Sequence, residues 1–166
     1  MNTIEAIQNR YSCRSYRSDP VSSELLMKLV DAGRLAPSGR GEQPWEFVVI
    51  TDVSTLKELA KQAESGPQIG RAAACIVVFG KRDAKYVLED CSAATENILL
   101  AAVEMGLGAC WIAGDKKSYA GRVESLLSAP QTLKLISLVS IGFPADERPK
   151  ERKRRTLNEV LHWQGF

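Results

Sequence analysis

The spacing of hydrophobic and polar residues along this chain predicts a succession of helices and strands. Helical spacing, with apolar residues three or four positions apart, occurs in residues 4–9, 24–36, 54–63, 84–105 and 118–127. Short runs rich in apolar, β-branched or aromatic residues indicate strands at 45–51, 74–80, 109–113 and 133–141. The run at 74–80 is continuously apolar, which is typical of a strand buried on both faces. Helices and strands therefore surround one sheet, and the class is α/β or α+β.

The longest predicted helix, at 84–105, is apolar on more than one side. One stripe consists of Val87, Cys91, Ala94, Ile98, Ala101 and Met105. Most of the remaining surface is also apolar and consists of Leu99, Leu100, Ala102 and Val103. A helix that is hydrophobic nearly all round must be covered on nearly all sides. Either the core of a monomer or a second subunit can provide that cover, and this feature alone leaves both alternatives open.

Capping and breaking residues set the predicted helix ends. Thr3 is the candidate cap of the first helix, and Ser22 or Ser23 caps the second. Pro37 ends the second helix, because proline lacks the backbone donor that a continuing helix needs. Gly106 and the glycine two residues later end the longest one.

The length and charge of the chain narrow the classes of protein. A chain of 166 residues with 45% hydrophobic residues is the size of a single domain, over residues 1–166, with an ordinary core. Its 22 basic and 20 acidic residues give a net charge of +2, which disfavours bulk binding to nucleic acid or membranes. No apolar run approaches the ~20 residues of a membrane helix, and the N-terminus lacks the apolar segment of a signal peptide. We therefore expect a cytoplasmic protein.

Cysteine and histidine chemistry is not indicated. The four cysteines, Cys13, Cys75, Cys91 and Cys110, lie far apart in the sequence, without the close spacing of zinc or redox motifs. We expect them to be small buried apolar residues. The only histidine is His162, and without a matched serine or cysteine motif it does not support triad hydrolysis. No metal site is predicted.

Two basic groups suggest an anion site. In the segment 10–14, RYSCR, extended backbone would align Arg10, Ser12 and Arg14 on one side, and two guanidinium groups beside a hydroxyl suit a phosphate. The second group, at 152–155, could close on the same phosphate, bind nucleic acid, or keep a solvated tail dissolved. A solvated basic edge is the competing interpretation of the first group as well.

Two glycine-rich segments form a third candidate binding site. The segment 35–50, LAPSGRGEQPWEFVVI, joins a helix to a strand through two prolines and two glycines, and 106–114 is GLGACWIAG. Bare backbone allows close approach to a flat ligand. The GLG sequence lacks the further spacing of a dinucleotide fingerprint and ends a helix, so a Rossmann site is disfavoured.

Four segments, in order, resemble the FMN-dependent nitroreductase family. RYSCRSY resembles its Arg-x-Ser-x-Arg opening, and LAPSGRGEQPWEFVVI its Ala-Pro-Ser-x-x-Asn-x-Gln-Pro-Trp signature. DCSAATENILLAAVEMGLGACWIAG resembles its central dimer helix and flavin-side turn. IGFPADERPKERKRRTLNEVLHW resembles its closing segment with a basic pair. The resemblance covers almost the entire chain.

This resemblance implies a fold and an assembly. The fold would be α+β in three layers, with a mixed, mostly antiparallel central sheet between helices. The assembly would be an intertwined homodimer with two FMN sites at its interface. The resemblance also assigns cofactor-binding residues: Arg10, Ser12, Arg14, Arg152 and Arg154 for the phosphate and ribityl chain, Pro37, Ser38 and Gly39 for the turn reaching the partner's flavin, and Ile112, Ala113 and Gly114 beside the redox edge of the ring.

The implied activity is that of an oxidoreductase. NAD(P)H would donate hydride to FMN, and an electron-poor acceptor (a nitroaromatic, a quinone or an activated alkene) would take it in a ping-pong cycle. No catalytic side chain is implied, since the flavin carries the chemistry. Relatives with other redox tasks dehalogenate, desaturate or fragment the flavin, and a nucleic-acid binder using 152–155 is a third, disfavoured hypothesis. One departure is Gly41, which stands where the family has Asn.

Overall fold

Four strands form a single sheet in the computed structural model, which describes residues 1–146 and 153–166. The strands are β1 (Trp45–Ile50), β2 (Ala74–Lys81), β3 (Gly108–Ala113) and β4 (Leu133–Gly142). Their order across the sheet is β1–β2–β4–β3, and each neighbouring pair is antiparallel. A parallel bridge between Ser12 and Ala109 adds one contact to the outer side of β3. The four predicted strands and the mostly antiparallel sheet are confirmed.

Five α-helices occupy the predicted segments. They are α1 (Thr3–Asn9), α2 (Ser23–Arg34), α3 (Val53–Gln62), α4 (Val87–Glu104) and α5 (Ala120–Leu126). Single 3-10 turns lie at Gly39–Gly41, Pro67–Arg71 and Leu157–Glu159. The helix predicted from residue 84 begins three residues later, because the turn from β2 continues to Tyr86, the N-cap of α4.

The cap of the first helix differs from the prediction. Asn2, and not Thr3, caps α1: its side chain accepts from the Glu5 N–H at 2.9 Å, while the Glu5 carboxylate accepts from the Asn2 N–H at 3.0 Å. This reciprocal pair satisfies two backbone donors at once. Ser22 caps α2 by accepting from the Leu25 N–H at 3.3 Å, which confirms the first of the two predicted positions.

The sheet lies between two layers of helices, each with its own hydrophobic core. On one face, Ile76 and Val78 pack with α2 and α4; on the other, Val77 and Phe79 pack with α3 and α5. Successive residues of β2 therefore enter opposite cores, as the period of a strand requires. Residues 74–80 are all buried, which confirms a strand covered on both faces.

The surface of α4 is only partly covered within one chain. Its buried residues are Val87, Asp90, Cys91, Ala94, Thr95, Ile98, Leu99 and Ala102. Leu100, Ala101, Val103 and Met105 are only half-buried. The chain's own sheet and helices thus cover one broad face of α4, and part of its apolar surface keeps contact with solvent.

All four cysteines are buried, as predicted, and all are free thiols. Burial raises the pKa of the Cys75 thiol to about 12. Of the described helices, none has the length and hydrophobicity needed to cross a membrane.

Candidate functional site

The loop between α2 and β1 is held in place by a carboxylate from a distant helix. Ser38 Oγ donates to Asp90 Oδ2 at 2.9 Å, and the Gly39 N–H lies 3.0 Å from Asp90 Oδ1 and 3.2 Å from Oδ2. Ser38 Oγ also accepts from the Gln43 N–H at 2.7 Å. Asp90, in the first turn of α4, is only 6% exposed. Ser38 and Gly39 are thus bound directly to one buried acid, and Gln43, at the other end of the loop, is linked to it through Ser38.

The loop has an unusual backbone. Arg40, Gly41 and Gln43 have φ of 58°, 70° and 47°, all in the left-handed region. Glycine adopts this region without steric cost, whereas a residue with a Cβ does so with strain. At Gly41 an added Cβ would meet no atom within 4 Å, so the space beside it is open.

Gly39 permits a close contact inside the protein. A Cβ added at Gly39 would lie 2.5 Å from Tyr86 Cδ2, so only a glycine lets this ring pack against the loop. The sequence suggested that the bare backbone here meets a flat ligand; within the chain, the ring that lies against it is that of Tyr86. Pro37 is exposed, and Trp45 is 7% exposed in the core, as expected for a packing residue.

The edge of the sheet at β3 offers backbone donors. The Gly114 N–H donates to Ile136 O at 3.0 Å, toward β4, while Ala109 O accepts from the Cys13 N–H at 3.0 Å, on the opposite side. In an antiparallel ladder this orientation alternates along the strand. The backbone groups of Ala113 therefore point to the same outer side as those of Ala109. Its carbonyl accepts a hydrogen bond from the Tyr119 hydroxyl.

Ile112 and Gly114, the two neighbours of Ala113, are packed against the protein's own core. Ile112 is 2% exposed and belongs to the core shared with α3 and α5. A Cβ on Gly114 would lie 2.5 Å from Leu135 Cγ. Of the three residues assigned to this edge, Ala113 is the one whose N–H faces outward.

The N-terminal basic segment lies beside the same edge. Ser12 bridges to Ala109, and both Ser12 and Arg14 are exposed while Cys13 between them is 3% exposed. This alternation confirms that Ser12 and Arg14 share a side. The Arg14 side chain donates to Ser12 O at 3.4 Å. Arg10, the C-cap of α1, directs its Nε to Glu96 Oε1 on α4 at 3.6 Å.

Gln68, which the sequence analysis missed, belongs to this group. It is 4% exposed and donates from Nε2 to Cys110 Sγ at 3.5 Å. Burial raises the pKa of the Cys110 thiol, an effect opposed by the Arg14 guanidinium and by hydrogen bonds from Gln68 and Ser12. These influences locate Ser12, Arg14 and Gln68 around one thiol. Nothing in the local sequence of Gln68 distinguishes it from an ordinary surface glutamine.

The second basic group does not join the first within one chain. Arg152 lies outside the described residues. Arg154 is exposed, and the hydrogen bond described for its side chain runs to the neighbouring Lys153 O at 3.0 Å. The predicted closure of the tail on the phosphate group is therefore not formed by Arg154 in the described part of a single chain.

Comparisons with known proteins add independent evidence. Residues 7–77 and 60–143 match the sequence profile of the Nitroreductase family. A relative from Archaeoglobus fulgidus, whose name pairs NADH dehydrogenase with NAD(P)H nitroreductase, is 37% identical over 151 residues, 87% of each chain. The solved FMN-dependent nitroreductase of Clostridium difficile superimposes with a TM-score of 0.92 at 28% identity, over 98% of this chain and 99% of that one. An iodotyrosine deiodinase from Nematostella vectensis is 25% identical over 193 residues, covering 95% of this chain and 73% of its own.

Proposed function

The chain belongs to the nitroreductase family, and from that premise we propose that it oxidises NAD(P)H and reduces an electron-poor organic acceptor with FMN as its cofactor. It is an NAD(P)H-dependent oxidoreductase. The observation that carries this conclusion is the family match, whose two segments together extend from residue 7 to residue 143. Bound FMN would supply the hydride chemistry, while the protein binds and orients the cofactor and shields the reaction from water.

The donors beside β3 fit the phosphate end of FMN. Arg14 is exposed, and its described hydrogen bond occupies one donor of a guanidinium that has five. Ser12 adds a hydroxyl on the same side, and charged bidentate donors are the preferred partners of phosphate. In this proposal Ser12 and Arg14 hold the phosphate and ribityl chain, and Glu96 orients Arg10 toward them.

The ring of the cofactor is proposed to lie along the outer edge of β3. There the Ala113 N–H is the outward-facing amide of the three residues 112–114, and it would donate to a ring heteroatom. Ile112 and Gly114 support this position from the core. Ser38 and Gly39 contribute through the shape of their loop, since the Ser38 hydroxyl and the Gly39 N–H already bind Asp90.

An intertwined homodimer is part of the proposal. Apolar residues of the C-terminal segment are exposed in one chain: Leu157, Val160, Leu161, Trp163 and Phe166. So is part of the apolar surface of α4. Apolar surface of this extent is covered in stable proteins, and a second copy would cover it. The loop 37–39 of one chain would then complete the site of the other, and Arg152 and Arg154 would act from the partner. The cytoplasmic location expected from the sequence stays a prediction.

The reaction is proposed to follow a ping-pong order at one open site. NAD(P)H would bind, give its hydride to bound FMN and leave as NAD(P)⁺, and the acceptor would then occupy the same place and be reduced. Nitroaromatics, quinones and activated alkenes are the candidate acceptors. No acidic or basic side chain is required to move a proton in this scheme, so none of the residues is assigned a catalytic role.

Reductive dehalogenation is the second candidate. It is favoured by the similarity to iodotyrosine deiodinase, which extends over 95% of this chain. A halogenated phenol in place of the nitroaromatic would then be the productive acceptor.

The test is the visible spectrum of the purified protein before and after anaerobic addition of NADH and NADPH. A flavin spectrum that bleaches with either, and returns when a quinone or nitroaromatic is added, is the expected result. Return of the oxidised flavin spectrum only after addition of a halogenated phenol would favour dehalogenation. A protein that neither carries nor takes up FMN would overturn the proposal.

A further inference from the structure

Arg40 stands out in the loop as a charged residue in a strained conformation. Its φ of 58° and ψ of 12° are left-handed, which costs energy for any residue with a Cβ. The side chain is exposed, and within residues 1–146 and 153–166 it forms no ion pair or hydrogen bond. Glu42, two residues further on, does not pair with it. Strain of this kind persists where the surroundings impose it, and it is concentrated at functional sites.

The surroundings of Arg40 impose its position. The hydrogen bonds from Ser38 and Gly39 to the buried Asp90 fix the backbone before it, and the Ser38–Gln43 hydrogen bond fixes the backbone after it. The next residue is Gly41, whose missing side chain leaves open space. A guanidinium on such a loop is presented to solvent from a fixed backbone, so only the side chain has to become ordered when it binds a ligand.

A second cation lies near the same loop. Lys85 Nζ is 5.2 Å from the centre of the Tyr86 ring, and that ring packs directly on Gly39. The nearby acid Asp90 is buried and already accepts three hydrogen-bond contacts from Ser38 and Gly39, so it lies behind the loop and away from its exposed surface. Arg40 and Lys85 are therefore two exposed cations at this surface, beside Glu42, the exposed acid of the same loop.

We propose that Arg40 recognises an anionic group, a carboxylate or a phosphate, on the molecule that exchanges electrons at this site. The inference rests on the proposed function, because that function places the loop beside the bound flavin. The anion can belong to the acceptor, as a carboxylate, or to the donor, as a phosphate of NADPH. In both cases Arg40 acts as a specificity determinant: it orients the reacting molecule, and it takes no part in hydride transfer.

The left-handed backbone at Arg40 allows substitutions that remove the charge without adding strain. Arg40→Gly and Arg40→Asn remove the guanidinium while keeping residues that accept a positive φ. Both should fold at least as well as the wild type. Arg34→Gln is the matched control, since Arg34 is an exposed arginine on the preceding helix whose Nε pairs with Asp31 Oδ1 at 2.6 Å.

The experiment uses FMN-loaded protein and compares pairs of molecules that differ in one anionic group. For acceptors, 4-nitrobenzoate is compared with 4-nitrobenzamide; for donors, NADPH is compared with NADH in stopped-flow reduction. An exposed charge pair contributes modestly, so we expect both Arg40 variants to lose about three- to tenfold in kcat/KM for the member of one pair that carries the additional anionic group. The kcat/KM of the member that lacks this group should change by less than about twofold, and so should that of both members in the Arg34→Gln control. The pair that responds identifies the source of the anion.

A binding measurement separates this inference from the proposed function. Titration of the flavin spectrum with benzoate and with benzamide requires no turnover, and the Arg40 variants should weaken benzoate alone. If wild-type protein reduces no acceptor at all, the proposed function fails, and the benzoate titration still decides the role of Arg40. Equal losses of kcat/KM or affinity for molecules with and without the anionic group, or no loss in any comparison, would overturn the assignment.

Discussion

Ser38 and Asp90, which are 52 residues apart in the sequence, are joined by a hydrogen bond of 2.9 Å between Oγ and Oδ2. The same carboxylate binds the Gly39 N–H. A loop with three left-handed residues is thereby attached to the first turn of the helix that runs through the core. The shape of the proposed site depends on a buried acid that itself lies behind the loop.

Removal of that acid should loosen both the loop and the cofactor site. Asp90→Ala leaves the Ser38 hydroxyl and the Gly39 N–H without their partner, and hydrogen bonds to a charged group contribute about 1.5–3 kcal/mol each in stability. We expect a loss of about 2–3 kcal/mol in the free energy of unfolding, measured with urea, together with weaker FMN binding. Glu89→Ala, at an exposed neighbouring position, should change neither quantity. Asp90→Ala protein that unfolds and binds FMN as Glu89→Ala does would contradict the prediction.

A second prediction concerns the glycine that follows β3. A Cβ at Gly114 would lie 2.5 Å from Leu135 Cγ and 3.0 Å from the backbone carbon of Ile136. Because the backbone cannot move aside easily, Gly114→Ala should cost about 1–3 kcal/mol, as overpacking does. Gly121→Ala is the opposite case: it lies in α5 with no atom within 4 Å, and it should gain up to about 1 kcal/mol from helix propensity. Thermal unfolding of both variants checks the pair, and similar melting temperatures would show that the strand accommodates a methyl group.

Much of the fold could be predicted because the strands are encoded locally. The run 74–80 is apolar and β-branched throughout, so burial on both faces follows from the sequence alone. The α4 segment was predicted as a helix, and its apolar stripe is buried from Val87 to Ile98, whereas beyond it Ala102 is buried and Ala101 of the stripe is half-buried. An all-round apolar helix contains too little contrast to define which side faces the sheet.

The candidate site was predicted less completely, because its contacts join distant parts of the chain. The alternation of Ser12, Cys13 and Arg14 follows from local extended backbone. The hydrogen bonds of Ser38 and Gly39 to Asp90, and the packing of Tyr86 on Gly39, depend on how the loop contacts α4. No local sequence pattern encodes that contact. One signal was present, since Asp90 precedes Cys91 of the apolar stripe, and an acid needs a partner when buried.

The third prediction uses the pH dependence of a helix cap. Asp52 caps α3, and hydrogen bonds from the Ser54 hydroxyl, the Thr55 hydroxyl and the Thr55 N–H lower its pKa from 3.8 to about 2. A lowered pKa in the folded state means that the charged cap stabilises the protein above pH 3.8, and that this stabilisation is lost as the pH falls toward 2. The stability difference between wild type and Asp52→Ala should therefore be constant at neutral pH and shrink in acid.

Ser22→Ala serves as the control for that experiment. Ser22 caps α2 through a hydroxyl that does not titrate, so its variant should differ from wild type by the same amount at every pH. Urea unfolding of the three proteins from pH about 7 down to about 3 makes the comparison. If the stability difference between wild type and Ser22→Ala shrinks in parallel with that for Asp52→Ala, acid weakens the fold in general. The pH dependence would then not be due to titration of the Asp52 cap.

The last prediction concerns Gly41, which stands at the position of the asparagine in the family signature that residues 35–50 resemble. The φ of 70° at Gly41 lies in the region that glycine adopts freely and that asparagine tolerates better than other residues. Since an added Cβ meets nothing within 4 Å, Gly41→Asn should change the free energy of unfolding by less than about 1 kcal/mol. Gly41→Val has the same open space but a β-branched side chain, so it should be less stable by about 1–2 kcal/mol. The asparagine amide would add one hydrogen bond near the proposed flavin, which corresponds to about two- to tenfold tighter FMN binding. Stable Gly41→Asn protein with unchanged FMN affinity would show that the asparagine of the family serves the backbone conformation alone, a role that glycine already fulfils in this chain.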